Sequence, residues 1–303
     1  MNQWRCTGMQ WDPATGPELT WSSPTGGEHS SALPLPGGPL ASTVTGDRRC
    51  TGIRHSRRRI PCPLQTVLPA QAVNPLCPDC AAVDRRHSIA ADTALDDQRT
   101  FRLYLAWFGP GLLKVGITAA ERGPRRLLHQ GALSHSWLGE GRLPGVRRAE
   151  ATLGAALGIP DRMSHSRKAT ARTLGSPPGC DAQDLSTTHR AAQTSAAWPQ
   201  TVTPLPFATE SHTAAYHLDP TRPPCPESEL SRLAPGTTVA GTLGTVVGSD
   251  AYLTTAGHGT LLVDLRLLAG WPLTRAQPSA VTTAATRPTR QSVTEEEVQH
   301  GLF

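Results

Sequence analysis

The chain has 303 residues, 38% of them hydrophobic and 5% aromatic, with 28 glycines, 28 prolines and a net charge of +5. Such a chain holds two modest domains at most and a large share of loop. No stretch has the length and apolarity of a bilayer-spanning helix, and Met1-Asn2-Gln3-Trp4-Arg5-Cys6 has no apolar signal-peptide core, so a cytoplasmic protein without membrane contact is expected.

Along the chain, residues 1–45 carry Trp4, Met9, Trp11 and Trp21 around Asp12-Pro13 and Thr15-Gly16, which predicts a β-hairpin followed by a Pro/Gly/Ser-rich loop. Residues 46–98 hold Cys50, Cys62, Cys77 and Cys80 and a cationic run of Arg48, Arg49, Arg54, Arg57, Arg58 and Arg59. A short echo joins the two regions: Arg5-Cys6-Thr7-Gly8-Met9 against Arg49-Cys50-Thr51-Gly52-Ile53. It is too short to mark a repeat protein.

Residues 99–161 are the best-patterned segment. Leu103 to Phe108 reads as a buried strand, Gly109-Pro110-Gly111 as a turn and Leu112 to Ile117 as the hairpin partner. A helix over 119–130 buries Leu127 and Leu128. A short strand near Trp137 precedes a helix from about Pro144, in which Val146, Ala149, Leu153 and Leu157 share a face. The order is β-β-α-β-α.

Residues 162–235 are rich in Ser, Thr, Pro, Gln and Ala and read as a largely disordered linker. In residues 236–275, Thr238 to Val247, Tyr252 to Thr255 and Leu261 to Leu265 alternate around glycines as a small antiparallel sheet, marginal alone and so expected to pair back to the strands of the N-terminal hairpin in one small β-barrel. Residues 276–303 read as a tail. The fold class is α+β.

Cys77-Pro78-Asp79-Cys80 has the C-x2-C spacing at which two thiolates hold one metal from a tight turn. With Cys50 and Cys62 it makes a candidate structural Zn(Cys)4 site. Eleven residues separate Cys50 from Cys62, so those two must come from different strands, and Cys6, His55 or His87 are possible substitutes. Buried free thiols are the alternative. Lysine occurs only at Lys114 and Lys168, so nearly every cation is arginine, whose fork suits phosphate. Arg54, Arg57, Arg58 and Arg59 before Cys62 form a candidate phosphate-facing patch, or else a solvated loop.

Arg102-Leu103-Tyr104, Lys114-Val115-Gly116-Ile117-Thr118, Arg126 and Glu150 resemble the GIY-YIG endonuclease superfamily over about a fifth of the chain. Tyr104-Leu105-Ala106, Lys114 to Thr118 and Gln130-Gly131-Ala132 behind a cysteine cluster also resemble an actinobacterial member of a bacterial family of unknown function, which joins a zinc-ribbon-like region to such a domain. The superfamily resemblance implies that Tyr104 activates or orients water, Gly116 allows close backbone approach, Arg126 or Arg125 holds the scissile phosphate, and Glu150 binds one Mg²⁺ or Mn²⁺. Lys114 stands where the second tyrosine belongs, and an ammonium grips phosphate but is a poor base. Gly123-Pro124 leaves the arginine register open by one. Three functions follow: DNA or RNA binding without strong catalysis, metal-dependent endonuclease action, and a zinc-stabilised interaction scaffold.

Overall fold

The computed structural model describes residues 3–55, 58–72, 74–87, 97–160, 162–195, 198–219, 221–257 and 259–289. The architecture is mixed α+β. The chain divides into two compact units, Met1–Thr93 with Cys225–Phe303, and Ala94–Pro224. Among the described residues, no helix is long and apolar enough to cross a membrane.

The first unit begins with β1 (Arg5–Asp12), β2 (Gly16–Ser22) and β3 (Glu28–Ala32), an antiparallel three-stranded sheet. The β1–β2 turn is made by Asp12, whose carboxylate accepts the Ala14 and Thr15 amides at 2.9 and 3.3 Å. The loop expected after the hairpin thus contains β3 and then β4 (Pro39–Val44). An antiparallel pair, β5 (Ile53–His55) with β6 (Arg58–Ile60), and helix α1 (Pro78–His87) follow. Arg57 and residues 290–303 lie outside the described residues, as do the side chains of His55 and His87.

The second unit is built on β7 (Thr100–Trp107), β8 (Leu113–Ala119), α2 (Arg125–Gln130), β9 (Ser134–Arg142) and α3 (Leu143–Leu157). The β-β-α-β-α order is present, with one change. The helix expected over 119–130 is a single 3-10 turn, Ala120–Arg122, and then α2, because Gly123 takes φ 49° and Pro124 restarts the chain. Central strand β7 lies between β8 and β9. Tyr104, Ala106 and Phe108 pack with Leu112, Leu127 and Ala132. Val115 lies under Gly154 of α3.

Residues 162–224 are not a linker. They form α4 (His165–Thr173), α5 (Cys180–Gln193), β10 (Val202–Pro204) and β11 (Glu210–Ser211), and both short strands pair with β9. Helix α5 buries Leu185, His189 and Ala192, one helical stripe with a single large apolar residue. Polar anchors do the rest. Gln193 donates to the Leu138 and Leu205 carbonyls, and Trp107 Nε1 donates to Asp184 at 2.8 Å. Fully buried Tyr216 donates from its hydroxyl to the Leu128 and Ala132 carbonyls. Composition hides such a segment because its few apolar residues are complemented by backbone-directed hydrogen bonds.

The chain then returns to the first unit as β12 (Ser228–Arg232), β13 (Thr238–Val247), β14 (Asp250–Thr255), β15 (Gly259–Asp264), β16 (Leu273–Arg275) and β17 (Ala285–Pro288). Together with β4 these form a seven-stranded sheet ordered β16-β4-β13-β14-β15-β12-β17. The expected pairing with the N-terminal hairpin is not made, since β1 and β2 stay in their own three-stranded sheet; the partner of β13 is β4, from the segment read as loop, in register from Thr238↔Thr43 to Thr242↔Pro39. The expected tail is therefore strand at Ala285–Pro288, where Arg287 pairs with Glu229 at 2.6 Å.

If residues 162–224 are part of the fold, Leu185→Ala should destabilise the second unit by about 2–5 kcal/mol in chemical denaturation. Amides of Cys180–Gln193 should also resist hydrogen exchange; rapid exchange there would show the helix to be unsupported.

Candidate metal centre and a lysine–glutamine–tyrosine cluster

Cys50, Cys62, Cys77 and Cys80 are all buried, and their sulfurs lie within 4.8 Å of one another. The eleven-residue gap between the first two is the β5–β6 hairpin. Cys50 enters it and Cys62 leaves it, so Ile53↔Ile60 pairing brings the two ends together. Only glycine fits at position 52, where φ is 69° and a Cβ would meet the Ile60 carbonyl oxygen at 2.1 Å. Cys77 and Cys80 come from the start of α1, and Leu68 closes the cluster with Ile53, Ala72 and Leu76.

The donor set fits a tetrahedral ion. Cys62 and Cys77 sulfurs are 3.9 Å apart, far beyond a disulfide bond and close to the edge of about 3.8 Å that a tetrahedron with Zn–S bonds near 2.3 Å requires. The Cys77 and Gly52 amides point at the Cys50 sulfur at 3.2 and 3.5 Å, the donors a thiolate needs. Burial works against ionising Cys62, but the Thr66 and Leu64 amides, the Cys50 thiol and the Thr66 hydroxyl bring it down to about 7. Burial and the neighbouring thiols push Cys80 up, and burial raises Cys50. Four thiols this close share protons poorly and bind a divalent cation well. Cys6 is not a fifth candidate: it is buried, its thiol meets the Gly8 carbonyl, and burial pushes it up to about 12.

The cationic run does not act as one patch. Arg48 is almost fully buried, donating from Nε to the Ala269 carbonyl and from Nη1 to the Ala72 carbonyl at 2.6 Å. Arg59 is partly buried and bonds the Thr51 carbonyl at 3.0 Å, which props the hairpin. Arg54 and Arg58 are the exposed pair among the described residues of the run.

In the second unit a polar cluster surrounds Tyr104. Its phenol is fully buried and accepts a hydrogen bond from Gln130 Nε2 at 3.1 Å. Lys114 Nζ donates to Gln130 Oε1 at 3.0 Å. Lys168 Nζ donates to the Gln130 carbonyl at 3.1 Å while lying 4.3 Å over the Phe108 ring. Burial raises the Tyr104 hydroxyl above the usual phenol range, opposed by the Arg126 charge and by hydrogen bonds from Gln130 and Arg126, and assisted by the Glu150 charge. Tyr104, Lys114, Arg126 and Glu150 are thus neighbours, although scattered over β7, β8, α2 and α3. Arg125 is exposed at the start of α2. Gly116 faces Tyr104 across the β7–β8 ladder, and a Cβ there would fall 2.4 Å from the phenol oxygen. Gln130 and Lys168 are the members that residue-by-residue sequence reasoning misses. The sequence signal for Gln130 is its place in the Gln130-Gly131-Ala132 motif, without a role; that both lysines converge on it is seen only in the structure.

Residues 40–273 match the model of a family described as a protein of unknown function, DUF2797. The chain belongs to this family. The matched region contains all four cysteines, Tyr104 and Gln130, and begins after Arg5 and Cys6. No curated protein and no solved structure matches the chain.

Elemental analysis of the purified chain should find one zinc per molecule, falling to well below half in Cys62→Ser and Cys80→Ser; full zinc in both variants would move the site elsewhere. Gly116→Ala should cost about 1–3 kcal/mol by overpacking against Tyr104, read from the denaturant midpoint at unchanged m-value.

Proposed function

We propose that this chain is a zinc-binding protein whose zinc is structural and whose second unit holds nucleic acid by its phosphates without strong catalysis. Four thiolates fill a tetrahedral shell and leave no position for water or substrate, so the zinc would order the β5–β6 hairpin and α1. Support for a nucleic-acid partner comes from the GIY-YIG-like residues in β-β-α-β-α order, the exposed Arg125 and Arg126 of α2, and the exposed Arg54 and Arg58 of the hairpin.

The observation that carries binding over cutting is the state of Tyr104. A hydrolytic role needs a phenol able to take or steer a proton from water. This phenol is out of solvent, held by Gln130, and raised by burial so that it stays protonated at neutral pH. Lys114 is hydrogen-bonded to the same glutamine and would be a cation for phosphate.

The endonuclease reading keeps one support, namely that Arg126 and Glu150 both act on the Tyr104 hydroxyl. Its Mg²⁺ or Mn²⁺ would have to rest mainly on Glu150, because no group of three ligating side chains gathers there among the described residues.

Labelled single- and double-stranded DNA and RNA should be retained at low salt and released as salt rises, with the log–log slope shallower in Arg125→Gln/Arg126→Gln by roughly one to two contacts. Intact substrate after incubation with Mg²⁺ is expected. Product bands lost in Glu150→Ala would replace this reading with the nuclease, and no retention at low salt would leave a zinc-stabilised scaffold.

A further inference from the structure

The echo between Arg5-Cys6-Thr7-Gly8 and Arg49-Cys50-Thr51-Gly52 has a structural counterpart. Both copies dock on one dipeptide. Cys6 donates to the Trp271 carbonyl at 2.9 Å and accepts from the Gly270 amide at 2.8 Å, while Arg49 donates its amide to the Gly270 carbonyl at 2.9 Å. Gly270 holds φ 91°, and a Cβ there would sit 2.6 Å from the Arg49 carbonyl oxygen. The fourth residue of each copy, Gly8 and Gly52, also has positive φ.

The consequence is that Arg5, Thr7, Arg49 and Thr51 line the same small pocket, together with Gln65 and with Cys50 and Cys62 of the metal-site cluster, and no carboxylate lines it. Thr7 and Thr51 are tied to Thr20 and the Pro75 carbonyl, so they form wall. The two guanidiniums are held by Gln65. Its side chain meets Arg5 Nη1 at 3.5 Å and its carbonyl accepts from Arg49 Nη1 at 3.0 Å. Gln65 itself has φ 44°, a left-handed conformation that a non-glycine residue adopts at some cost. The Arg5 Nε is buried and has no hydrogen-bond partner. Burial and the Arg49 charge lower Arg5 from its ordinary value. Among the described residues, neither arginine forms an ion pair with an acid.

We propose that the paired Arg-Cys-Thr-Gly segments form a binding site for a small tetrahedral oxyanion, a phosphate group, clamped between Arg5 and Arg49. The thiolates of Cys50 and Cys62 would be committed to the metal, which leaves the donors of two like-charged guanidiniums facing a pocket without a carboxylate, and guanidinium forks match phosphate oxygens. A phosphate group can come as free phosphate, a mononucleotide or a nucleic-acid backbone. The site goes beyond the reading of the second unit and is testable without it, since free phosphate reports on it whether or not the chain retains DNA or RNA.

The test is thermal unfolding of the full zinc-loaded chain titrated with inorganic phosphate, adenosine 5′-monophosphate or a short single-stranded DNA, each against KCl of equal ionic strength. Wild type should show a saturable rise in Tm beyond the KCl control, as ligand linkage requires. Arg5→Gln should weaken the response at least about tenfold, the loss of one charge-assisted contact. Without phosphate, Arg5→Gln should melt at or above wild type, because a like-charge contact is gone. Arg49→Lys keeps the charge but loses the fork and should fall between. A response to free phosphate marks a small-anion site, and a response to DNA alone identifies the backbone as the source. Should the variants misfold, phosphate should still protect Arg5 and Arg49 of wild type from phenylglyoxal, read by mass spectrometry. No rise beyond KCl in any arm, or equal responses in wild type and variants, overturns the proposal. So does zinc loss from the variants with no phosphate response in wild type, which would make the arginines counter-charges to the thiolates.

Discussion

Four sulfur atoms gathered within 4.8 Å are the constraint around which the front of the first unit is arranged. Residues 46–87 contribute two three-residue strands and one helix of ten residues, too little to bury a core of their own. Among the described residues, Leu68 is the one large aliphatic residue buried with the cysteines. A cluster of thiols is a weak substitute for packed hydrocarbon. A metal–thiolate bond set on these sulfurs would not be, and it would turn a loop-rich segment into one with a fixed shape. The close approach of Gly52 to Ile60, the Arg59 prop on the Thr51 carbonyl and the buried Arg48 fork all serve to hold the chain ends that present those sulfurs.

The second unit solves a different problem with side-chain amides. Gln130 closes α2, and its amide and carbonyl meet Tyr104, Lys114 and Lys168 from three other elements. One residue thereby satisfies a buried phenol and orients two ammonium groups. Gln193 plays the same part at the far end of α5, bridging the Leu138 and Leu205 carbonyls. Such polar hubs fix register as well as energy, since a shift of one residue would leave several buried groups unpaired.

How much of this can be read in the sequence depends on whether a signal is local. The C-x2-C knuckle and the apolar strand from Leu103 to Phe108 are local, and so are the alternating strands after Thr238. The convergence of Cys50 and Cys62 is not, because it requires knowing that the residues between them pair as a hairpin. Helix α5 is hidden because Leu185, His189 and Ala192 are an inconspicuous apolar stripe in a polar sequence. The arginine run misleads in the opposite direction: neighbours in sequence, Arg48 is a buried carbonyl fork, Arg49 faces a pocket, and Arg54 and Arg58 face solvent. The Arg-Cys-Thr-Gly echo is visible in the sequence, but that both copies rest on Gly270 and Trp271 is a fact of the far end of the chain.

The division of the first unit between the two ends of the chain sets an order in time. Strand β4 ends at Val44, and its partner β13 begins at Thr238. At translation rates of about 5–20 residues per second, that partner emerges roughly 10–40 seconds later. Both edges of β4 stay unpaired for that interval, while the four cysteines, complete at Cys80, are available to capture metal early and the second unit is synthesised whole. The nascent protein therefore passes through a state with all four cysteines of the cluster synthesised and its seven-stranded sheet unmade. That state, and not the finished molecule, is where the exposed edge of β4 is open to wrong partners.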